Sequence, residues 1–135
     1  MAQNTKKTIA AVEEVDAIDF DAWTEEDEAA VLAALAGAHA IKYVISEKKS
    51  FIGRFPDGRI IRTPLMISVE DLEMLDAMKL ESELDQLKQL LTLLGKDEEY
   101  EYLKAADLAS SMDYAMKYFR VFEKLIHMTM GEFEG

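Results

Sequence analysis

No cysteine occurs in the 135 residues, and His39 and His127 are the only histidines. The first absence excludes disulfides, thiolate metal sites and thiol nucleophiles. The second weighs against a zinc centre, which ordinarily takes three or four protein ligands. Bases are also scarce: 15 Lys and Arg stand against 27 acids, for a formal net charge of -12. Such a balance favours solubility and repels phosphate backbones unless the basic residues are clustered. The first residues, MAQNTKKTIAAVEEVD, carry no uninterrupted apolar run of the signal-peptide kind, and no stretch reaches the ~18 apolar residues that span a bilayer. The expectation is a soluble cytoplasmic chain with no membrane and no nucleic acid among its main partners.

Half of the residues are hydrophobic, enough for one core in a chain of this length. Residues 1–22 are poor in large apolar side chains, and residues 13–28 hold nine acids and no base. That pattern reads as a mobile acidic arm, whose end can dock through Ile18, Phe20 and Trp23. Residues 23–135 form the expected single globular domain.

Thr24, three residues before Asp27, has the spacing of a capping box, so a helix starts there with Val31, Leu32, Leu35 and Ala38 as its apolar stripe. Residues 41–46, IKYVIS, either continue this helix or form a strand, and the strand is preferred. In Phe55-Pro56-Asp57-Gly58-Arg59, Pro56 presets φ for a type I turn and Gly58 suits a left-handed bulge. The resulting hairpin, about 50–63, pairs Gly53 with Ile61 and Phe51 with Thr63. One of its faces offers Phe51, Phe55 and Ile61, and the other Ile52 and Ile60 beside Arg54 and Arg62. Two strands alone are marginal in water, so the hairpin must pack on helices, gain a strand or meet a partner.

The helical body is expected over 68–130. Ser68 and Asp71 make a second capping box ahead of Val69, Leu72, Leu75 and Met78. A leucine stripe, Leu84, Leu87, Leu90, Leu91 and Leu94, stops at Gly95. Asp97 is the expected cap of a helix that turns Tyr100, Leu103 and Leu108 inward. Ser110 and Asp113 then suggest a third capping box, followed by a long helix whose face carries Met112, Ala115, Met116, Phe119, Phe122, Ile126 and Met130. The fold class is therefore α+β and predominantly α: a small hairpin, extended to three strands if 41–46 joins it, followed by a compact bundle of four short-to-medium helices.

Catalytic readings are weak in this pattern. Glu123 and His127 lie four residues apart on one helix face, but a helix C-terminus already accounts for a histidine there. No G-x-S-x-G elbow is present, and each serine suits a cap or a turn. Paired acids such as Glu98 and Glu99 suit the positive end of a helix. No cofactor, metal or catalytic residue is expected. Between positions 41 and 63, Lys42, Lys48, Lys49, Arg54, Arg59 and Arg62 face only Glu47 and Asp57. A basic middle in an acidic chain suits docking of acidic protein segments, the chain's own arm among them. A regulator that binds nucleic acid through Lys48, Arg54, Arg59 and Arg62 stays open as an alternative, as does a small adaptor or inhibitor that uses the acidic arm.

The hairpin FIGRFPDGRIIRTP, the helix ISVEDLEML after it, and the run from LLTLLGKDEEYEYLKAADL to the terminal GEFEG together resemble tail assembly chaperones of long-tailed, siphovirus-type bacteriophages, over roughly residues 50–135. The resemblance implies a protein of the infected host's cytoplasm, absent from the mature virion. Such a protein binds and solubilises the tape-measure protein, helps recruit tail-tube subunits and can self-associate. It also implies a longer, frameshifted form beginning near 131–135. On this reading Phe51, Phe55 and Ile60 of the hairpin, with Met112, Met116, Phe119 and Phe122 of the final helix, supply the partner surfaces.

Overall fold

The computed structural model describes residues 17–129. The expectations for an arm over 1–16, for Met130 and for the tail 131–135 lie outside the described residues. The chain is mostly helical, with one three-stranded antiparallel sheet in the order β1-β2-β3. It divides into two compact units between Ala38 and His39. The first helix therefore goes with the N-terminal unit, a correction to a boundary placed at 22/23.

In the N-terminal unit a 3-10 turn, Phe20–Ala22, precedes helix α1, Glu25–Ala38. The capping box is complete: the Thr24 hydroxyl accepts from the Asp27 N–H at 3.1 Å, and the Asp27 carboxylate accepts from the Thr24 N–H at 3.0 Å. Glu25, Glu26, Asp27 and Glu28 crowd the first turn, where the helix dipole favours them. No residue of α1 is buried, and Leu32 and Leu35 of the expected stripe are exposed.

The second unit opens with strands β1, Lys42–Ser46, β2, Ser50–Arg54, and β3, Ile60–Pro64. β2 and β3 take the register read from the sequence, Phe51 opposite Thr63 and Gly53 opposite Ile61. The turn closes as expected: Gly58 N–H donates to the Phe55 carbonyl and Phe55 N–H to that of Arg59, both at 2.8 Å, with Gly58 at φ +92°. Residues 41–46 do supply the added strand, pairing Val44 with Ile52 and Lys42 with Arg54.

Four helices follow: α2, Val69–Ala77, α3, Glu83–Leu93, α4, Asp97–Ala105, and α5, Leu108–Thr129. Ser68 caps α2 through the Asp71 N–H, as expected. α3 ends in a Schellman arrangement, with Lys96 N–H donating to Leu91 O, Gly95 N–H to Thr92 O, and Gly95 at φ +73°.

Other local readings are corrected. Lys96, not Asp97, is the N-cap of α4 and makes no side-chain capping bond. α5 starts before the serines, so Ser110 and Ser111 lie buried inside it, and Asp107 accepts the Ser110 N–H in the capping role. Leu108 is exposed at the head of α5 rather than turned inward from α4. Buried α5 residues run through Ser111, Tyr114, Ala115, Tyr118, Val121 and Phe122, whereas Met112 and Met116 are exposed. The inward face is thus rotated from the methionines towards the tyrosines, whose rings meet the sheet.

The core lies between the inner sheet face and helices α3 to α5. Phe51 is fully buried, edge-on to both Tyr114 and Tyr118, and Phe55 stacks on Tyr114. Leu87, Leu90 and Leu91 of α3 and Leu103 of α4 complete it. Burying each such side chain contributes about 1.5–3 kcal/mol. The polar atoms drawn in are satisfied: Thr63 and Tyr114 share a 2.6 Å hydrogen bond, the Tyr118 hydroxyl donates to Pro64 O at 2.6 Å, and that of Ser111 to Leu103 O at 2.8 Å. Burial pushes the phenols of Tyr114 and Tyr118 up from their usual range, so both remain neutral.

Candidate protein-binding surfaces

The second unit brings Ser110, His39 and Asp107 together, a trio of the residue types used in nucleophilic hydrolysis. Their wiring is different. The Ser110 hydroxyl donates to the His39 backbone carbonyl at 2.6 Å, while the His39 imidazole turns Nδ1 to Asp107 at 3.1 Å. A nucleophile must hydrogen-bond the imidazole that deprotonates it, and here it bonds the main chain. Asp107 is held down to about 2 by its hydrogen bonds with Ser110 and with the His39 imidazole. These contacts fasten the start of α5 to the segment entering β1. Among the described residues no group of three or more His, Asp or Glu is placed to hold a metal.

The seven residues read as partner-binding fall into three environments. Phe51 and Phe55 belong to the core, with 0 and 2% of their surface exposed. This corrects their assignment to a free surface: the hairpin turns that face onto α5. Phe119 and Phe122 are mostly buried but line a groove of about 220 Å³ between α2 and α5, with Leu72, Leu75 and Leu80. Met112 and Met116 are exposed beside them on α5. Ile60 is exposed on the outward face of the sheet, remote from α5.

Two apolar surfaces result. On the helical side, Leu108, Met112 and Met116 follow at four-residue intervals along α5 and lead to the Phe119–Phe122 groove. Exposed Leu72 lines it from α2, with Val69 exposed at the start of that helix and Met78 at its C-cap. Of the expected inward face of α2 only Leu75 is buried. Leu75 is therefore the residue of that stripe that enters the core. Sequence reasoning missed Leu108, which the i, i+4, i+8 spacing with Met112 and Met116 would have flagged.

On the sheet side, the pairing register puts Lys42, Val44, Ile52, Arg54, Ile60 and Arg62 on one face. Val44 and Ile60 are exposed, and a hollow of about 410 Å³ lies over Val44, Ile52 and Ile60 beside Lys42 and Arg54. The hairpin tip is pinned to α4: the Tyr102 hydroxyl donates to both Asp57 carboxylate oxygens, at 2.9 and 2.8 Å, and the Arg59 guanidinium lies over the Tyr102 ring at 4.8 Å. Burial and the Asp57 hydrogen bond raise the Tyr102 phenol to about 12. Val44 and Lys42 were absent from the expected site because the register of 41–46 on β2 was needed to align them with Ile52 and Arg54.

Comparison with protein-family models, with curated proteins and with solved structures returned no match.

Proposed function

We propose that this chain is a tail assembly chaperone of a long-tailed bacteriophage, which acts in the infected host's cytoplasm by holding a helical stretch of the tape-measure protein in solution. The proposal rests on the resemblance over roughly 50–135 and on one observation of the fold. Exposed Leu72 lines the groove floored by Phe119 and Phe122, and Met112 and Met116 stand exposed along the same helix, α5. An amphipathic helix lays its apolar face into a groove of this kind. Methionines, unbranched and polarizable, adapt to successive side chains of a long client. The net charge of -12 keeps such a complex from aggregating. Recruitment of tail-tube subunits, self-association, a frameshifted longer form and absence from the mature virion belong to the same proposal.

The test is co-expression with a tape-measure protein of a long-tailed phage. Met116→Asp and Leu72→Asp alter exposed positions and preserve the fold, which circular dichroism checks. Each is expected to shift the client from the soluble to the insoluble fraction. A client that stays soluble with both folded variants overturns the assignment of this groove.

A further inference from the structure

We propose that the outward face of the sheet is a second docking site, specific for an acidic amphipathic α-helix of a partner protein. This goes beyond the chaperone reading and uses a surface on the opposite side of the sheet from α5. Val44, Ile52 and Ile60 form a diagonal aliphatic strip across the three strands, flanked by Lys42 and Arg54 at one end and Arg62 at the other. None of these three cations takes part in an ion pair among the described residues. They stand together in a chain whose net charge is -12.

Strand propensity alone does not call for aliphatic side chains at these outward positions, because Thr shares the β-propensity of Val and Ile without their apolar surface. The dimensions suit a helix. Three strands about 4.8 Å apart and five residues long make a face roughly 10 Å by 17 Å, and a helix is about 10–12 Å across. The inner face already meets α5 through Phe51 and Thr63, so a helix on the outer face would place the sheet between two helical layers.

Charge and chemistry select the occupant. A second copy meeting this face through a two-fold axis would set the same patch against itself, bringing Lys42, Arg54 and Arg62 towards their own copies. A single-stranded nucleic acid needs aromatic platforms for its bases, and the centre of this face is aliphatic. A helix with leucines or isoleucines along one side and glutamates beside them satisfies both parts of the patch, the aliphatic strip and its cationic flanks.

The probe is a fluorescein-labelled helical peptide of about 18 residues with Leu at helical spacing and Glu on either side, titrated by anisotropy against the full chain. Three references accompany it: the same peptide with every Glu replaced by Lys, an oligothymidylate, and sedimentation of the unliganded chain. Binding of the acidic peptide is expected, weakened at least about tenfold by Ile60→Glu and by Arg54→Glu, both exposed and outward. Leu72→Asp, in the helical groove, is expected to leave it unchanged. The proposal is overturned if the acidic peptide does not bind, if the lysine peptide or the oligothymidylate binds as well, if Leu72→Asp abolishes binding while Ile60→Glu does not, or if Ile60→Glu dissolves a dimer. Loss of client solubilisation by Leu72→Asp with intact peptide binding separates this site from the chaperone groove.

Discussion

Gly53 lies directly against the ring of Tyr114, so close that a Cβ on the glycine would come within 2.5 Å of the ring's Cε1 and 2.7 Å of its Cδ1. The glycine is required by this contact, since the absence of a side chain at the centre of β2 lets the helix ring enter the sheet. Tyr114 then reaches Thr63 on β3, so one side chain spans two strands.

Gly53→Ala is therefore expected to destabilise the protein by about 1–3 kcal/mol through overpacking. Tyr114→Phe keeps the ring but leaves the fully buried Thr63 hydroxyl without its partner, costing about 1–3 kcal/mol. Urea denaturation measures both. A stability for either variant equal to that of the parent would remove Tyr114 as the link between helix and sheet.

Asp113 and Lys117, paired at 2.8 Å on α5, clasp the backbone of Ile41 just ahead of the edge strand. The carboxylate accepts its N–H at 2.9 Å and the ammonium donates to its carbonyl at 3.1 Å, as a neighbouring strand would. Asp113→Ala strands the N–H of a residue that is only 2% exposed and is expected to cost about 1–3 kcal/mol. Amide hydrogen exchange should quicken at Ile41 and along β1 before it does so in β2.

Both hairpin turns have the same build, but the left-handed position is Gly58 in one and Lys49, at φ 69°, in the other. A side chain in that region costs about 1–2 kcal/mol, partly offset by the greater freedom of glycine in the unfolded chain. Lys49→Gly should thus stabilise by about 0.5–1 kcal/mol, read as a higher urea midpoint with an unchanged slope.

Asp107 is held at about 2, below its ordinary 3.8. A carboxyl depressed in the folded state contributes stability that is complete above its unfolded value and is lost as the pH falls through the folded one. The contribution of Asp107 is therefore full at pH 5 and declines between about pH 4 and pH 2. Asp107→Asn keeps an acceptor for the Ser110 N–H but does not titrate. The difference in melting temperature between parent and variant should narrow over that interval, and a constant difference would show that the Asp107 charge contributes nothing.

Legibility in the sequence followed the range of the interaction. Thr24 with Asp27, Ser68 with Asp71, the Pro56-Asp57-Gly58 turn and the Gly95 cap all act across a few residues, and all formed as read. The register of β2 on β3 followed from the turn alone. Where two local motifs competed, the reading failed: Ser110 and Asp113 have capping spacing, but Asp107 caps α5 and frees both for the segment that leads into β1. The end of α2 carried no signal, because its left-handed residue is Lys79 rather than a glycine.

The sequence by itself determined the Pro56-Asp57-Gly58 turn, where α1 and α2 begin and where α3 ends, and which residues alternate to opposite faces of the hairpin. Only the tertiary structure decided which of those faces is the inside. Phe51 and Phe55 are buried because α5 presents Tyr114 and Tyr118 to them, and the addition of β1 aligns Lys42 and Val44 with Arg54 and Ile52 on the face left outside. These pairings join residues up to some seventy positions apart. They depend on how whole elements share their apolar area, a quantity that no short window of sequence contains.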